Sequence, residues 1–292
     1  MGEIELLALY WTVSGPVDVH YGREWSLFPW RDRCEQAART GFAGIGLWHA
    51  DVEHQLESRS LEEMKQIFDE AGLTYLELEF ISDFFLDHSE QARQLSDRRR
   101  KLLFETAATF GAHHIKTGNI PGTACELGRL TEAYAELCQD AARHTSARIV
   151  YEFMPPDVNV NTLDTALKLV QGAAQPNGGL AIDTWHMAKL GIAPDELRRI
   201  PLEHLAWFEL SDGQLENMPD MVDETINHRQ LPGEGEFDIA GYVEACRHHG
   251  YAGPWGVEVL SAELRKLPIE EEFRRPYETS MAQFRAADRS AT

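Results

Sequence analysis

The 292-residue chain is short of several things. Its four cysteines, Cys34, Cys125, Cys138 and Cys246, are widely scattered with no CxxC pair. That spacing suggests neither a disulfide framework nor a zinc knuckle, and the thiols read as reduced core residues of a cytoplasmic protein. No stretch approaches the roughly 18 apolar residues of a membrane span. The opening MGEIELLALYW has no basic residue ahead of its short apolar run, which predicts no signal peptide. Leu6 stands where a myristoylation signal needs Ser or Thr. Basic side chains are outnumbered, 27 Lys and Arg against 48 Asp and Glu, for a net charge of −21. Such a field repels phosphate backbones and anionic lipid, which argues against nucleic acid and membranes as partners. The acidity serves solubility, and part of it can be carboxylates gathered round a cation. No Gly-x-Gly-x-x-Gly follows an early strand, which weighs against a dinucleotide fold.

What the chain does have is alternation. Short apolar runs read as strands at 4–11, 42–48, 73–80, 113–118, 147–153, 180–185, 205–211 and 254–260. Between them, helical patterns lie near 30–40, 60–71, 90–110, 127–144, 161–173, 194–200 and 238–249, with a last one near 268–287. Ser60 followed by Glu63 reads as a capping box, closed by Gly72 at the far end. Asp195 follows Pro194 in a similar opening position, and Asp238 precedes a helix that stops at Gly250. Strand–helix alternation implies βαβ units and a parallel sheet. Eight units predict an α/β fold closed into a (β/α)8 TIM barrel, and no linker divides residues 1–292, which read as a single domain. Two long segments, 12–29 and about 212–237, fall on the C-terminal face, where substrates bind and lids are built.

The chemistry gathers at the ends of consecutive strands. Strand five ends in VYEF with Glu152, and strand six ends in IDTWH with Asp183 and His186. Strand seven carries Glu209 in WFELSD, and strand eight carries Glu258 in WGVEVL. An ionised carboxylate in apolar surroundings costs several kcal/mol unless it is compensated. In a parallel barrel these four ends converge on one face, so a bound divalent cation is the simplest compensation. All-oxygen ligation favours Mn2+ or Mg2+, with Co2+ and Zn2+ also admitted. The alternative for any one of them is an acid just past its strand, solvated or paired with an Arg.

Glu152, Asp183 with His186 three residues on, the acid of strand eight, and HRQLPGEGEFD (228–238) resemble the xylose isomerase-like barrels. That superfamily holds sugar isomerases and epimerases, inosose isomerases and dehydratases, and 3-dehydroshikimate dehydratases. The resemblance implies Glu152, Asp183 and Glu258 as metal ligands and His186 and Arg229 as substrate-binding residues. Strand seven departs from it: the family usually places His there, sometimes Gln, where this chain has Glu209. A fourth carboxylate can still bind a hard cation, or it can act from behind as a base.

By the same resemblance, the ion would polarise the carbonyl of a small sugar or keto-polyol and stabilise an enediolate, with Glu152 and Glu258 exchanging the proton. The expectation is a metal-dependent isomerase or epimerase. Its rivals are a dehydratase, which expels a β-hydroxyl from the same enolate, and a non-catalytic sugar-binding barrel. A homo-oligomer is admitted. Lys116, in the apolar strand HHIKTG, should face the barrel mouth. There it would bind a substrate oxygen, stabilise an enediolate or act as an acid, or else serve as a counter-ion to Glu79 or Glu152. Trp11, Trp48, Phe153 and Trp185 follow or end strands, and read either as an apolar wall for a sugar ring or as core. His20 and His49 fall near the same face. PGEG (232–235) reads first as a turn, with a phosphate cradle as a second reading.

Overall fold

In a computed structural model that describes residues 4–19, 22–119 and 122–290, the strand–helix units close into a barrel. In chain order the elements are β1 (Leu6–Ala8), α1 (Tyr10–Val13), α2 (Trp30–Thr40), β2 (Gly44–Trp48), α3 (His49–Leu56), α4 (Leu61–Glu70) and β3 (Tyr75–Ile81). There follow α5 (Gln91–Phe110), β4 (His114–Thr117), α6 (Leu127–His144), β5 (Arg148–Glu152), α7 (Leu163–Ala173) and β6 (Gly178–Asp183). The chain finishes with α8 (Thr184–Lys189), β7 (Leu205–Leu210), α9 (Met221–Asn227), α10 (Ile239–His249), β8 (Trp255–Val257) and α11 (Ile269–Ser290). Each strand pairs in parallel with the next, and β8 returns to β1 with Leu7 opposite Gly256. Closure leaves no unpaired edge, and the parallel order brings every strand's C-terminal end to one face.

The expected helix signals are in place. The Ser60 hydroxyl accepts from the Glu63 amide, and the Glu63 carboxylate accepts from the Ser60 amide. Asp238 caps α10, whose end is Gly250 at φ +107°. The segment expected as a helix at 194–200 is a 3-10 turn, Pro194–Arg199. Several strands are shorter than their apolar runs, β1 and β8 most of all, and β6 begins and ends earlier than its run. After β1 the chain turns at once into α1, because the Thr12 hydroxyl donates to the Val257 carbonyl and accepts from the Val259 amide. The run at 180–185 stops at Asp183, whose carboxylate caps α8 by accepting from the Trp185 amide.

Two layers of core result. Leu7, Leu9, Val150, Ala181 and Trp207 pack within the barrel, while the larger cluster fills the space between strands and helices. All four cysteines are free thiols. Among the described residues no helix is long and apolar enough to cross a membrane.

Candidate active site at the barrel mouth

Side chains alternate along a strand, so residues two apart share a face. That periodicity sends Glu79 of β3, Lys116 of β4, Glu152 of β5, Asp183 of β6 and Glu209 of β7 to the barrel interior. Glu258, one residue beyond β8, is kept in line by a hydrogen bond from its amide to the Leu210 carbonyl. All six are buried.

Lys116 lies at the centre. Its Nζ is 2.5 Å from Glu258 Oε1, 3.0 Å from Glu209 Oε1, 3.3 Å from Glu79 Oε2 and 3.6 Å from Glu152 Oε2. Burial alone would make this amine give up its proton, but the surrounding carboxylates outweigh it and hold the pKa well above the usual lysine range. A second cation closes the cluster from above. Arg229 Nη1 lies 2.6 Å from Asp183 Oδ2 and 3.3 Å from Glu258 Oε2, while its Nε and Nη2 donate to the carbonyl and hydroxyl of Thr225 in α9. His186 Nε2 is 3.3 Å from Glu152 Oε1 and 3.5 Å from Asp183 Oδ2.

The carboxyls do not share one protonation state. Burial pushes Glu152 up, but Lys116, His186 and Arg229 more than reverse this and bring it down to about 2. Glu79 sits in the opposite balance: burial, reinforced by Glu258 and Glu152, outweighs Lys116 and carries it up to about 8. Glu258 and Glu209 are also raised, in each case chiefly by burial. The floor of the mouth therefore holds an ionised carboxylate and a proton-bearing carboxyl on the strands that flank Lys116.

One oxygen each from Glu152, Asp183, Glu209 and Glu258 lie within 4.8 Å of one another, as do donor atoms of Glu152, Asp183 and His186. Glu152 Oε1 and Glu209 Oε2 have no hydrogen-bond partner. Converging hard oxygen donors with unsatisfied lone pairs fit a divalent cation. Glu209 reaches this cluster from lower in the barrel, with its Oε1 held by the indole N–H of Trp207 at 2.6 Å.

Above the floor opens a cavity walled by Trp11, Trp48, Phe80, Met154, Ile226 and Leu260. The rings of Trp11 and Trp48 stand 4.8 Å apart, and Trp48 stacks on Phe80 at 6.4 Å. Two of the four aromatic residues expected at this wall are elsewhere. Phe153 follows the inward Glu152 and so faces outward into the core between sheet and helices. Trp185 is wholly buried, with its ring 5.0 Å from the Arg229 guanidinium, and supports that arginine from behind the cavity. His49 is buried beside Trp48, with Nδ1 accepting from the Ala50 amide. His20 lies outside the described residues. The amides of the PGEG segment are not open to a phosphate: the Asp212 carboxylate accepts from Gly233 and Gly235, as it does from Gly213 and Phe237, and the Glu234 amide donates to the Leu231 carbonyl. Gly235 is required there, since a Cβ would fall 2.3 Å from Asp212 Oδ1.

Six contributors, in three groups, were not expected from the sequence. Met154 and Leu260 lie two residues beyond Glu152 and Glu258, and the strand period could have found them, whereas Phe80, next to the inward Glu79, reaches the mouth where the register of β3 against β4 shifts between Leu78 and Ile81. Thr225 and Ile226 of α9 carried no comparable signal, because the segment 212–237 has no clear apolar repeat. The third is Trp207, two residues before Glu209.

A family model described as xylose isomerase-like TIM barrel matches residues 34–283. A 3-dehydroshikimate dehydratase of Pseudomonas aeruginosa is 28% identical over 240 residues, 81% of this chain. The chain spans only 37% of that relative's length. An inosose isomerase of Bacillus velezensis is 24% identical over 78% of this chain and 81% of its own length. Among solved structures, the IOLI protein with a bound zinc atom superposes with a TM-score of 0.82 at 20% identity, covering 97% of this chain and 99% of that one.

Proposed function

The chain belongs to the xylose isomerase-like TIM barrel family, and from that premise we propose that residues 1–292 form one enzyme domain acting on a small polyhydroxylated carbonyl compound. The reaction we infer is isomerisation or epimerisation of a sugar or keto-polyol, begun by removing a proton next to its carbonyl. The observation that carries this reading is geometric: Glu79 and Glu152 lie on the strands either side of Lys116, 3.3 and 3.6 Å from its ammonium, and both line the cavity, with surroundings that raise one carboxyl and lower the other. Acid and base roles belong to pairs of titratable groups whose surroundings drive them apart.

Glu152, Asp183, Glu209 and Glu258 are the residues that would hold a divalent cation, and their oxygen donors favour Mn2+ or Mg2+ over softer ions. When bound, it would supply Lewis-acid polarisation of the substrate carbonyl. Every other part of the chemistry falls to this chain's own side chains. Glu152, held ionised at neutral pH by Lys116, His186 and Arg229, lines the cavity and is the base. Glu258, shared between Lys116 and Arg229, is the second acid–base group. Lys116 is wholly buried below the cavity and acts through the carboxyls it touches, and Glu79 on the adjoining strand, which lines the cavity, is the proton-bearing group. His186 and Arg229 line the cavity and orient hydroxyls. Trp11 and Trp48 exclude water and pack on the carbon face of the substrate.

A second reading replaces reprotonation by loss of a β-hydroxyl, which would make the protein a dehydratase. The match to the Pseudomonas aeruginosa relative favours it, and a protonated Glu79 would serve as acid for the departing hydroxyl. One experiment separates the outcomes: incubation of the Mn2+-supplemented protein with a panel of ketoses and keto-polyols in D2O. Isomerisation or epimerisation gives a product of unchanged formula carrying solvent deuterium. Dehydration gives loss of water and the ultraviolet absorbance of an unsaturated carbonyl. Sugar binding with neither exchange nor product would reject proton abstraction and leave a non-catalytic binding barrel.

A further inference from the structure

Below the mouth lies a second cluster to which no role has yet been given. Glu77 and His114 sit two residues before Glu79 and Lys116 on β3 and β4, so they face the same interior one layer deeper. Donor atoms of Glu77, His114 and Glu209 lie within 4.8 Å of one another. All three side chains are wholly buried. Both oxygens of Glu77, Nε2 of His114 and Oε2 of Glu209 have no hydrogen-bond partner. The closest approach between Glu77 and His114, Oε1 to Nε2, is 4.0 Å, too long for a hydrogen bond.

The fold makes room for these groups. Glu77 stands in register with Gly46 of β2, where a Cβ would fall 2.4 Å from Glu77 Oε2. Glu209 stands in register with Gly256 of β8, where a Cβ would fall 3.1 Å from Glu209 Cγ and 2.8 Å from the Trp207 ring. Each acid is thus placed beside a neighbour with no side chain. Around them are Leu7, Leu9, Val150 and Ala181, with the His114 ring 4.2 Å from that of Trp207. Lys116, the nearest cation, is committed upward to Glu258 and to the other oxygen of Glu209. Leaving four buried polar atoms unpaired in such a place costs several kcal/mol.

We propose that Glu77, His114 and Glu209 form a second divalent-cation site inside the barrel, one layer below the mouth, with Glu209 common to both clusters. One imidazole and two carboxylates balance a dication and suit a borderline ion such as Zn2+ or Mn2+. His114 Nδ1 lies 2.9 Å from Nδ1 of His113, and with the proton held between those two atoms Nε2 presents its lone pair to Glu77. Burial also holds the His114 ring neutral, well below the usual histidine range. At strand seven a carboxylate offers two oxygens where an imidazole has one free nitrogen: Oε1 of Glu209 is held by Lys116 and the Trp207 N–H, and Oε2 is left for a cation.

The test is metal location and count. Metal-stripped protein is reloaded with Zn2+, desalted, and taken both to elemental analysis and to crystals measured at the zinc edge. The expected result is two ions per chain, the lower anomalous peak lying between Glu77, His114 and Glu209. Glu77→Gln should lose the lower ion and keep the upper, and Asp183→Asn the reverse. An anomalous map of saturated wild-type protein with no peak among the three residues overturns the proposal, as does a Glu77→Gln protein that still holds two ions. The wild-type map decides alone if Glu77→Gln fails to fold. A lower peak with an empty mouth would reject the metal-dependent reading of the mouth and leave this inference standing.

Discussion

The first four strands and the last four bring opposite materials to the same mouth. From β1 to β4 come the rings of Trp11, Trp48 and Phe80, the ammonium of Lys116 and a proton-bearing Glu79. From β5 to β8 come four carboxylates and, in the loops beyond, His186 and Arg229. One half is a shaped apolar wall with a single cation, the other a concentration of negative charge. Neither is stable alone: the acids need Lys116, and Lys116 needs the acids. Binding and chemistry should therefore separate by half of the barrel, and mutations on the two sides should fail in different ways.

The largest effect is expected on the acidic half. Glu152→Gln keeps the volume and removes the base, so kcat should fall by about 10³-fold with KM little changed. Steady-state kinetics on the substrate found by the D2O screen would read it. Activity within tenfold of wild type would show that the base lies elsewhere.

The next effect crosses the two halves. Lys116→Met leaves Glu79, Glu152, Glu209 and Glu258 facing one another without their common counter-ion. Removing one partner of a buried ionic cluster costs about 3–5 kcal/mol. Urea denaturation of metal-stripped protein at neutral pH should show that loss, and saturating Mn2+ should restore part of it by neutralising the same oxygens. Equal stability of the two stripped proteins would mean that Lys116 is not what holds the acids together.

How much of this could be read in advance depended on the range of the contacts involved. The eight strands and the Ser60 box rest on local periodicity and capping, and were legible. Glu152, Asp183, Glu209, Glu258 and Lys116 were legible as polar residues set in apolar strands, and the barrel brings them together. The short helices α3, α8 and α9 were not. The last of these is seven residues long, capped by Asp220 and pinned by the buried ion pair between Glu224 and Lys189, a contact 35 residues away in sequence. Phe153 was misplaced although the information was present, since a residue next to an inward carboxylate faces outward, whereas Trp185 escapes the strand period because the chain leaves β6 at Asp183 and enters α8. Glu77 and His114 carry the same period as their neighbours above, but only closure of β7 across the barrel puts Glu209 beside them.

A third prediction tests the joint between the halves. Helix α11 packs against the start of the chain, and there the buried Glu272 accepts from the Gly15 amide. Burial pushes its carboxyl up to about 8, from 4.5 in the absence of the fold. Between those values the native protein holds a proton that the unfolded chain has released, so this group's contribution to stability falls as pH rises from about 4.5 to 8. Glu272→Gln removes that slope. The gap in stability between variant and wild type should shift in favour of the variant by on the order of 3 kcal/mol across the window. Parallel stability curves at pH 5 and pH 8 would contradict it.

The smallest effect is the sharpest test of the contrast between wall and acids. Trp48 touches no reacting atom in the proposed scheme; its ring packs between Trp11 and Phe80, and its N–H donates to Glu24. A residue that only supplies apolar contact stabilises bound substrate and transition state alike, so its loss should appear in KM and not in kcat. For Trp48→Leu an increase in KM of about tenfold, near 1.4 kcal/mol, is expected, with kcat within a factor of about two. Glu152→Gln should give the reverse split. If Trp48→Leu lowered kcat as much as it raised KM, the ring would be positioning the substrate against Glu152, and the two halves would be acting as one device.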